Sequence, residues 1–171
     1  SAASDVYKRQ HLGLLPGSAG TQRTPRLVGV KNAIDIMTTG KPVKAEKALA
    51  IGAIDEIVDD LKSGAIAFAN KVIENATPLK RVSKSEERVD NNSENLEVIA
   101  QERAKWKKNS PHLNAPQKII DCVEQAVLLD YAGGMNFEQK TFQGLMDSDQ
   151  SKSLIHAFFA ERKSNKIPEL E

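Results

Sequence analysis

The chain is short of the residue types that several functions need. Among its 171 residues it holds one cysteine, Cys122, which excludes an internal disulfide framework. Cys122 falls on an apolar helical face and reads as a core thiol. Aromatic residues make up 5% of the chain, too few for a base-stacking platform. The formal net charge is +1, without the basic surplus that a polyanion surface needs. No apolar run approaches the ~20 residues of a membrane span, and no charged-then-apolar leader opens the sequence. His11, His112 and His156 stand far apart, without metal-ligand spacing. The expectation is one soluble, cytoplasmic domain with no metal, no nucleic acid and no membrane span.

What is present begins with an apolar run, Leu12-Gly-Leu-Leu15, broken by Pro16 and Gly17 and followed by a small turn at Gly20. Glycines there let backbone N–H groups approach a ligand closely, and the turn opens onto a helix. The turn is not a Walker loop, because Gly17 and Gly20 have the wrong spacing and no Lys-Ser/Thr follows. Leu27, Val30, Ile34 and Met37 continue at helical spacing to a stop at Gly40 and Pro42. Ala45 to Ile51 reads as a short helix ended by Gly52, and Lys44 is a poor cap for it. Ile54, Ile57 and Val58 read as an edge strand or an extended connector. The paired carboxylates Asp55 and Glu56 read as a surface connector.

Leu61, Ala65, Phe68, Ala69 and Val72 predict a second amphipathic helix, stopping before Pro78. The polar run from Lys80 to Asn95 reads as a solvated loop with a short helix. Leu96, Ile99, Arg103 and Trp106 follow at helical spacing. Ala115-Pro116 opens a helix with Ile119, Ile120, Val123, Ala126 and Val127 on its apolar face. Gly133 and Gly134 read as a break, and Met135 to Met146 as another helix. Ser148 or Asp149 caps a last helix whose expected buried stripe is Leu154, Ile155, Phe158 and Phe159. Arg162 and Lys163 form its cationic end, favourably placed against the helix dipole.

The segment Leu12-Gly-Leu-Leu-Pro-Gly-Ser-Ala-Gly-Thr-Gln-Arg-Thr-Pro-Arg-Leu-Val-Gly29 resembles the central signature of the crotonase (enoyl-CoA hydratase/isomerase) superfamily. Thr39 to Val58 resembles the stretch that follows it. Ser18 stands where the family has Ala, Ala19 where it has its second glycine, and Thr24 where it has leucine. If the position of Ala19 needs a positive φ, its side chain adds strain of roughly 1 kcal/mol. Ala115-Pro116 with Ile120 to Ala126, Glu138-Gln-Lys-Thr-Phe142, Ser148 to Ser151 and His156 to Arg162 are similar to the multifunctional branch of fatty-acid oxidation proteins. There the hydratase module passes through a Lys-Ile-Pro-like linker, here Lys166-Ile-Pro168, into a 3-hydroxyacyl-CoA dehydrogenase.

The resemblance implies an α/β crotonase-like fold, a spiral of ββα turns, of which this chain holds the mostly α-helical end. The expected organisation is a non-native segment at 1–10, the end of the spiral core at 11–60, a C-terminal helical region at 61–165, and the start of a linker at 166–171. Ser1 to Gln10 resembles translated sequencing-adapter read-through. Register puts Lys8, Arg9 and Gln10 where the family has proline, the second catalytic glutamate and an apolar residue. Arg9 cannot do a carboxylate's work, since it has no proton-accepting group. Neither family glutamate nor a Gly-Gly-Gly-x-Glu oxyanion segment is present, so no catalytic residue is assigned.

Pro16, Gly17 and Gly20 are the expected substrate-lining residues of the loop. Phe158, Arg162 and Lys163 of the last helix are expected near the CoA end of an acyl-CoA. The implied parent converts trans-2-enoyl-CoA to 3-hydroxyacyl-CoA and oxidises it with NAD in a further domain; this segment itself holds no cofactor. The implied partners are a second copy of the chain or a thiolase-containing complex, and the alternative compartments are the peroxisome and the mitochondrial matrix. Two other readings stand beside this one: a single-function hydratase or isomerase, and a non-catalytic helical interaction module.

Overall fold

A computed structural model describes residues 12–164. The expectations for 1–10, His11 and the linker from Lys166 lie outside the described residues. Among the described residues eight α-helices follow in order: α1 (Gly20–Val28), α2 (Val30–Thr39), α3 (Ala45–Ile51), α4 (Leu61–Glu74), α5 (Ser93–Asn109), α6 (Asn114–Leu128), α7 (Tyr131–Asp147) and α8 (Asp149–Ser164). A single 3-10 turn, Val82–Lys84, lies between α4 and α5. No strand forms among the described residues, so Ile54 to Val58 is an extended connector and not an edge strand.

The sequence explains most of these boundaries. The helical spacing through Leu27, Val30, Ile34 and Met37 is interrupted, which the sequence reading did not expect. Gly29 adopts φ 82° and ends α1, its N–H donating to the Pro25 carbonyl at 2.9 Å. A side chain would resist that conformation. Gly40 and Gly52 close α2 and α3 as expected, and Lys44 offers no side-chain cap. Asn92, Asp130 and Asp60 each cap a helix through a side-chain oxygen. Asp130 corrects the reading of Gly133 and Gly134. They lie in the first turn of α7, and the break falls just before it, at Leu129–Asp130.

The core gathers around α6. Ile119, Ile120, Cys122 and Val123 are fully buried, with Ala126 and Val127 beside them, as the apolar stripe requires. Helices α1, α2, α5 and α7 pack around α6. Leu15, Ile34, Met37 and Ile99 complete the core. Each fully buried aliphatic side chain of this kind contributes about 1.5–3 kcal/mol. Arg103 fastens α5 to α6 by pairing with both Asp121 and Glu124. Arg88, from the polar stretch, donates to the carbonyls of Leu27 and Ile51 at 2.7 and 2.8 Å. That stretch is therefore tied down and is not a free loop.

Two helices depart from the amphipathic reading. Helix α4 buries none of its residues, and Leu61 and Ile73 are 79% and 74% exposed. Helix α8 buries only Ser151. Phe159 is 61% exposed, and Leu154, Ile155 and Phe158 are half-buried. The expected buried stripe of α8 is thus not built among the described residues: its polar ties lie in its first turn, where Ser151 Oγ donates to the Leu12 carbonyl at 2.9 Å and Gln150 accepts from the Asn114 N–H and donates to the His112 carbonyl.

Candidate functional site

The loop at Pro16–Gly20 turns sharply because two consecutive residues, Ser18 and Ala19, take φ 58° and 67°. This left-handed backbone is the one that costs a side chain about 1–2 kcal/mol. The positive φ anticipated for Ala19 is present. Gly20 leaves no room for a side chain, since a Cβ there would sit 2.8 Å from the Pro16 Cβ. The Gly20 N–H closes the turn on the Gly17 carbonyl at 3.2 Å.

The unbonded amides of a helix N-terminus attract an anion. Here the anion comes from the chain itself. Glu138, on α7, is 3% exposed. Its Oε1 accepts from the Ala19 N–H at 2.7 Å. Its Oε2 accepts from the Thr21 N–H at 2.9 Å and the Thr21 hydroxyl at 2.5 Å. The carboxylate is desolvated, and three donors compensate it. The loop's amides at Ala19 and Thr21 are therefore committed to an internal partner.

Beside this bond the loop borders a cavity of about 260 Å3, lined by Gly17, Ser18, Met135, Glu138, Gln139 and Phe142. Gly17 is partly exposed to it, whereas Pro16 is buried beneath. Of the expected loop residues only Gly17 lines this cavity; Pro16 and Gly20 do not. The residues expected from α8 are not brought to this cavity, whose other wall is α7. The Arg162 guanidinium stacks over the Phe158 ring at 5.1 Å, and Arg162 and Lys163 are exposed.

Glu138 is the residue of this site that the sequence reading did not single out. Its signal was present in the pattern. Gly134, Glu138 and Leu145 recur on one buried face of α7. A charged residue inside an apolar stripe is seldom buried without a partner.

Around the loop the polar groups are structural. Gln22 is fully buried and donates to the Cys122 carbonyl at 3.0 Å. Arg26 donates to the carbonyls of Gln22 and Ala126 and lies 5.2 Å above the Tyr131 ring centre. Burial holds its guanidinium below the usual arginine range, against the pull of Glu86, Tyr131 and Asp130. Cys122 is a buried thiol pushed up to about 12, chiefly by burial. Asp55 and Glu56 are exposed, as are His112 and His156. No cluster of metal-ligating side chains occurs among the described residues. No helix among them is long and apolar enough to cross a membrane.

The model of the enoyl-CoA hydratase/isomerase family matches residues 3–125. The chain is similar to the glyoxysomal fatty acid beta-oxidation multifunctional protein MFP-a of Cucumis sativus, 38% identical over 159 residues, covering 92% of this chain and 22% of that protein. It is similar to the fatty acid oxidation complex subunit alpha of Shewanella loihica, 37% identical over 161 residues, covering 91% and 22%. It is also similar to the peroxisomal bifunctional enzyme of Homo sapiens, 35% identical over 156 residues, covering 91% and 21%. The chain spans about a fifth of the length of these curated relatives.

Proposed function

The chain belongs to the enoyl-CoA hydratase/isomerase family, and from that membership we propose that it is the C-terminal part of the hydratase module of a multifunctional fatty-acid β-oxidation protein. The observation that carries this reading is the extent of the likeness. It runs over about nine-tenths of this chain but only a fifth of each multifunctional relative. The reaction of the longer protein is hydration of a trans-2-enoyl-CoA to a 3-hydroxyacyl-CoA.

That chemistry asks for two things. Backbone donors must stabilise the thioester oxygen as enolate charge develops. Carboxylates must handle the water and its proton. The amides of Ala19 and Thr21 are already bonded to Glu138, so they are not the oxyanion donors. Glu138 has both oxygens occupied by donors of the Pro16–Thr21 loop, so it is not the proton-handling carboxylate. What this chain contributes is Gly17, at the rim of the cavity, with Pro16 and Gly20 setting its position. Phe158, Arg162 and Lys163 are proposed for the CoA end only as the longer protein arranges them.

NAD belongs to a further dehydrogenase domain in this reading. An acyl-CoA is the substrate, and the assembly is a homo-oligomer or a complex that includes a thiolase. The proposed compartment is the cytoplasm, with the peroxisome or the mitochondrial matrix as alternatives; the relatives include a bacterial and two peroxisomal or glyoxysomal proteins.

The test follows crotonyl-CoA by loss of its conjugated thioester absorbance. The longer protein carrying this segment should hydrate it, and the 171-residue chain alone should not exceed a buffer blank. No turnover by the longer protein overturns the reading. Turnover by the short chain overturns the assignment of the catalytic carboxylates to another segment. A short chain that associates without a longer catalytic counterpart would favour a helical interaction module.

A further inference from the structure

Glu138 reaches the Pro16–Thr21 loop from a helix that starts more than a hundred residues later in the chain. We infer that Glu138 is a positioning residue for the hydratase site: it fixes the loop that presents Gly17, and it makes the shape of that loop depend on the docking of α7. This inference rests on the proposed hydratase reading for its catalytic consequence, but not for its structural one.

Three observations support it. First, the loop cannot hold its own shape cheaply. Ser18 and Ala19 both sit at positive φ, a conformation that local preference opposes in each residue. Some contact outside the loop must oppose their relaxation. Second, Glu138 is that contact, and its two oxygens divide the work. Oε1 takes the Ala19 amide on the strained side of the turn. Oε2 takes the Thr21 amide and hydroxyl on the first turn of α1. The carboxylate thus bridges the strained backbone to the helix it opens. Third, Glu138 has no other ion partner among the described residues' salt bridges. Its buried charge is balanced by the loop donors and the positive end of α1.

The bond geometry sets a specific expectation for substitution. Glutamate offers two acceptor oxygens, whereas glutamine offers one. Glu138→Gln must therefore release at least one of the two backbone amides, and Glu138→Leu must release both. Hydrogen exchange resolved by residue reads this directly. In Glu138→Gln, Ala19 or Thr21 should exchange about tenfold faster than in the parent. Ile99 and Ile119, in the α5–α6 core, should keep their protection. Trp106, the single tryptophan, reports by its emission that the chain is folded.

Arg103→Ala is the control. It removes the fastening of α5 to α6, away from the loop, and should loosen the molecule without singling out Ala19 and Thr21. In the longer protein, Glu138→Gln should lower kcat/KM for crotonyl-CoA at least about tenfold per folded molecule. Arg103→Ala, matched for folded fraction, should stay within about twofold.

Unchanged exchange at both loop amides in a folded Glu138→Gln overturns the inference outright. Released amides with kcat/KM within twofold of the parent overturn the catalytic role and leave a structural cap. A longer parent protein with no hydration at all defeats the hydratase reading and with it the catalytic role, while the exchange result still decides whether Glu138 fixes the loop.

Discussion

Gly134 of α7 lies against Gln22 of α1 so closely that a Cβ on Gly134 would stand 2.0 Å from the Gln22 Oε1 and 2.7 Å from its Cδ. Gln22 cannot swing clear. It is fully buried, and its amide donates to the Cys122 carbonyl and to Thr21 Oγ1. The crossing of α1 and α7, which carries Glu138 to the loop, therefore requires glycine. Gly134→Ala should destabilise the chain by about 1–3 kcal/mol through overpacking. Gly144→Ala, where nothing lies within 4 Å, should instead stabilise by up to about 1 kcal/mol through helix propensity. Denaturant melts of the two variants check the contrast in sign.

Ser18 is exposed and holds φ 58°. Ser18→Gly removes the strain without removing buried surface. Part of the gain is offset by the freer unfolded chain. The melt should show a stabilisation of up to about 1 kcal/mol. Ser18→Val should destabilise the chain, because a branched side chain is least tolerant of this backbone.

Burial dominates the Cys122 thiol and holds it protonated up to about 12, against an ordinary value of 9.0. The unfolded thiol ionises first, so this group costs stability as pH rises from about 9 towards 12. At pH 8 a thiol-specific reagent should label Cys122 only as the chain opens. Labelling in native buffer should be slow, and denaturant should accelerate it by orders of magnitude. Fast native labelling would place the thiol at the surface.

Burial pushes the Glu102 carboxyl up, but hydrogen bonds and charge from Lys105 and Lys31 outweigh it and hold it below its usual 4.5. A depressed carboxyl stabilises the fold above its unfolded value and loses that contribution as pH falls through its folded value. Stability should decline below about 4.5, and less steeply in Glu102→Gln. Both lysines are largely exposed, at 62% and 49%, so the pairs are worth about 1 kcal/mol or less. Lys105 is raised above 10.5 by its bond to Glu102, and its contribution disappears only above that pH. Urea melts at pH 7 and pH 3 compare the parent with Glu102→Gln.

The helical elements were legible where pattern and local chemistry agreed. Ile119, Ile120 and Val123 of α6 satisfy a helical period, follow a proline in the first turn, and are buried. Gly40 and Gly52 stop their helices for the reason glycine usually does. The misreadings share a cause. Gly133 and Gly134 look like a break, but the capping oxygen of Asp130 starts α7 before them, Gly133 lies against that cap, and the close crossing with Gln22 requires glycine at 134. Phe158 and Phe159 have the spacing of a buried face, yet pattern states only what a helix could bury, not what is there to cover it. Glu138 carries half a signal: it is a charge on the buried face of α7, but two of its three donors are backbone amides, which leave no mark in a sequence.

The bond between Glu138 and Ala19 closes across 119 residues, which has a consequence for biosynthesis. At a translation speed of about 5–20 residues per second, the strained loop leaves the ribosome roughly 6–24 seconds before its acceptor does. During that interval the Ala19 and Thr21 amides have only water or a nascent-chain chaperone to bond. The turn therefore acquires these bonds only after α7 has been made and has docked, and it loses them when α7 peels away.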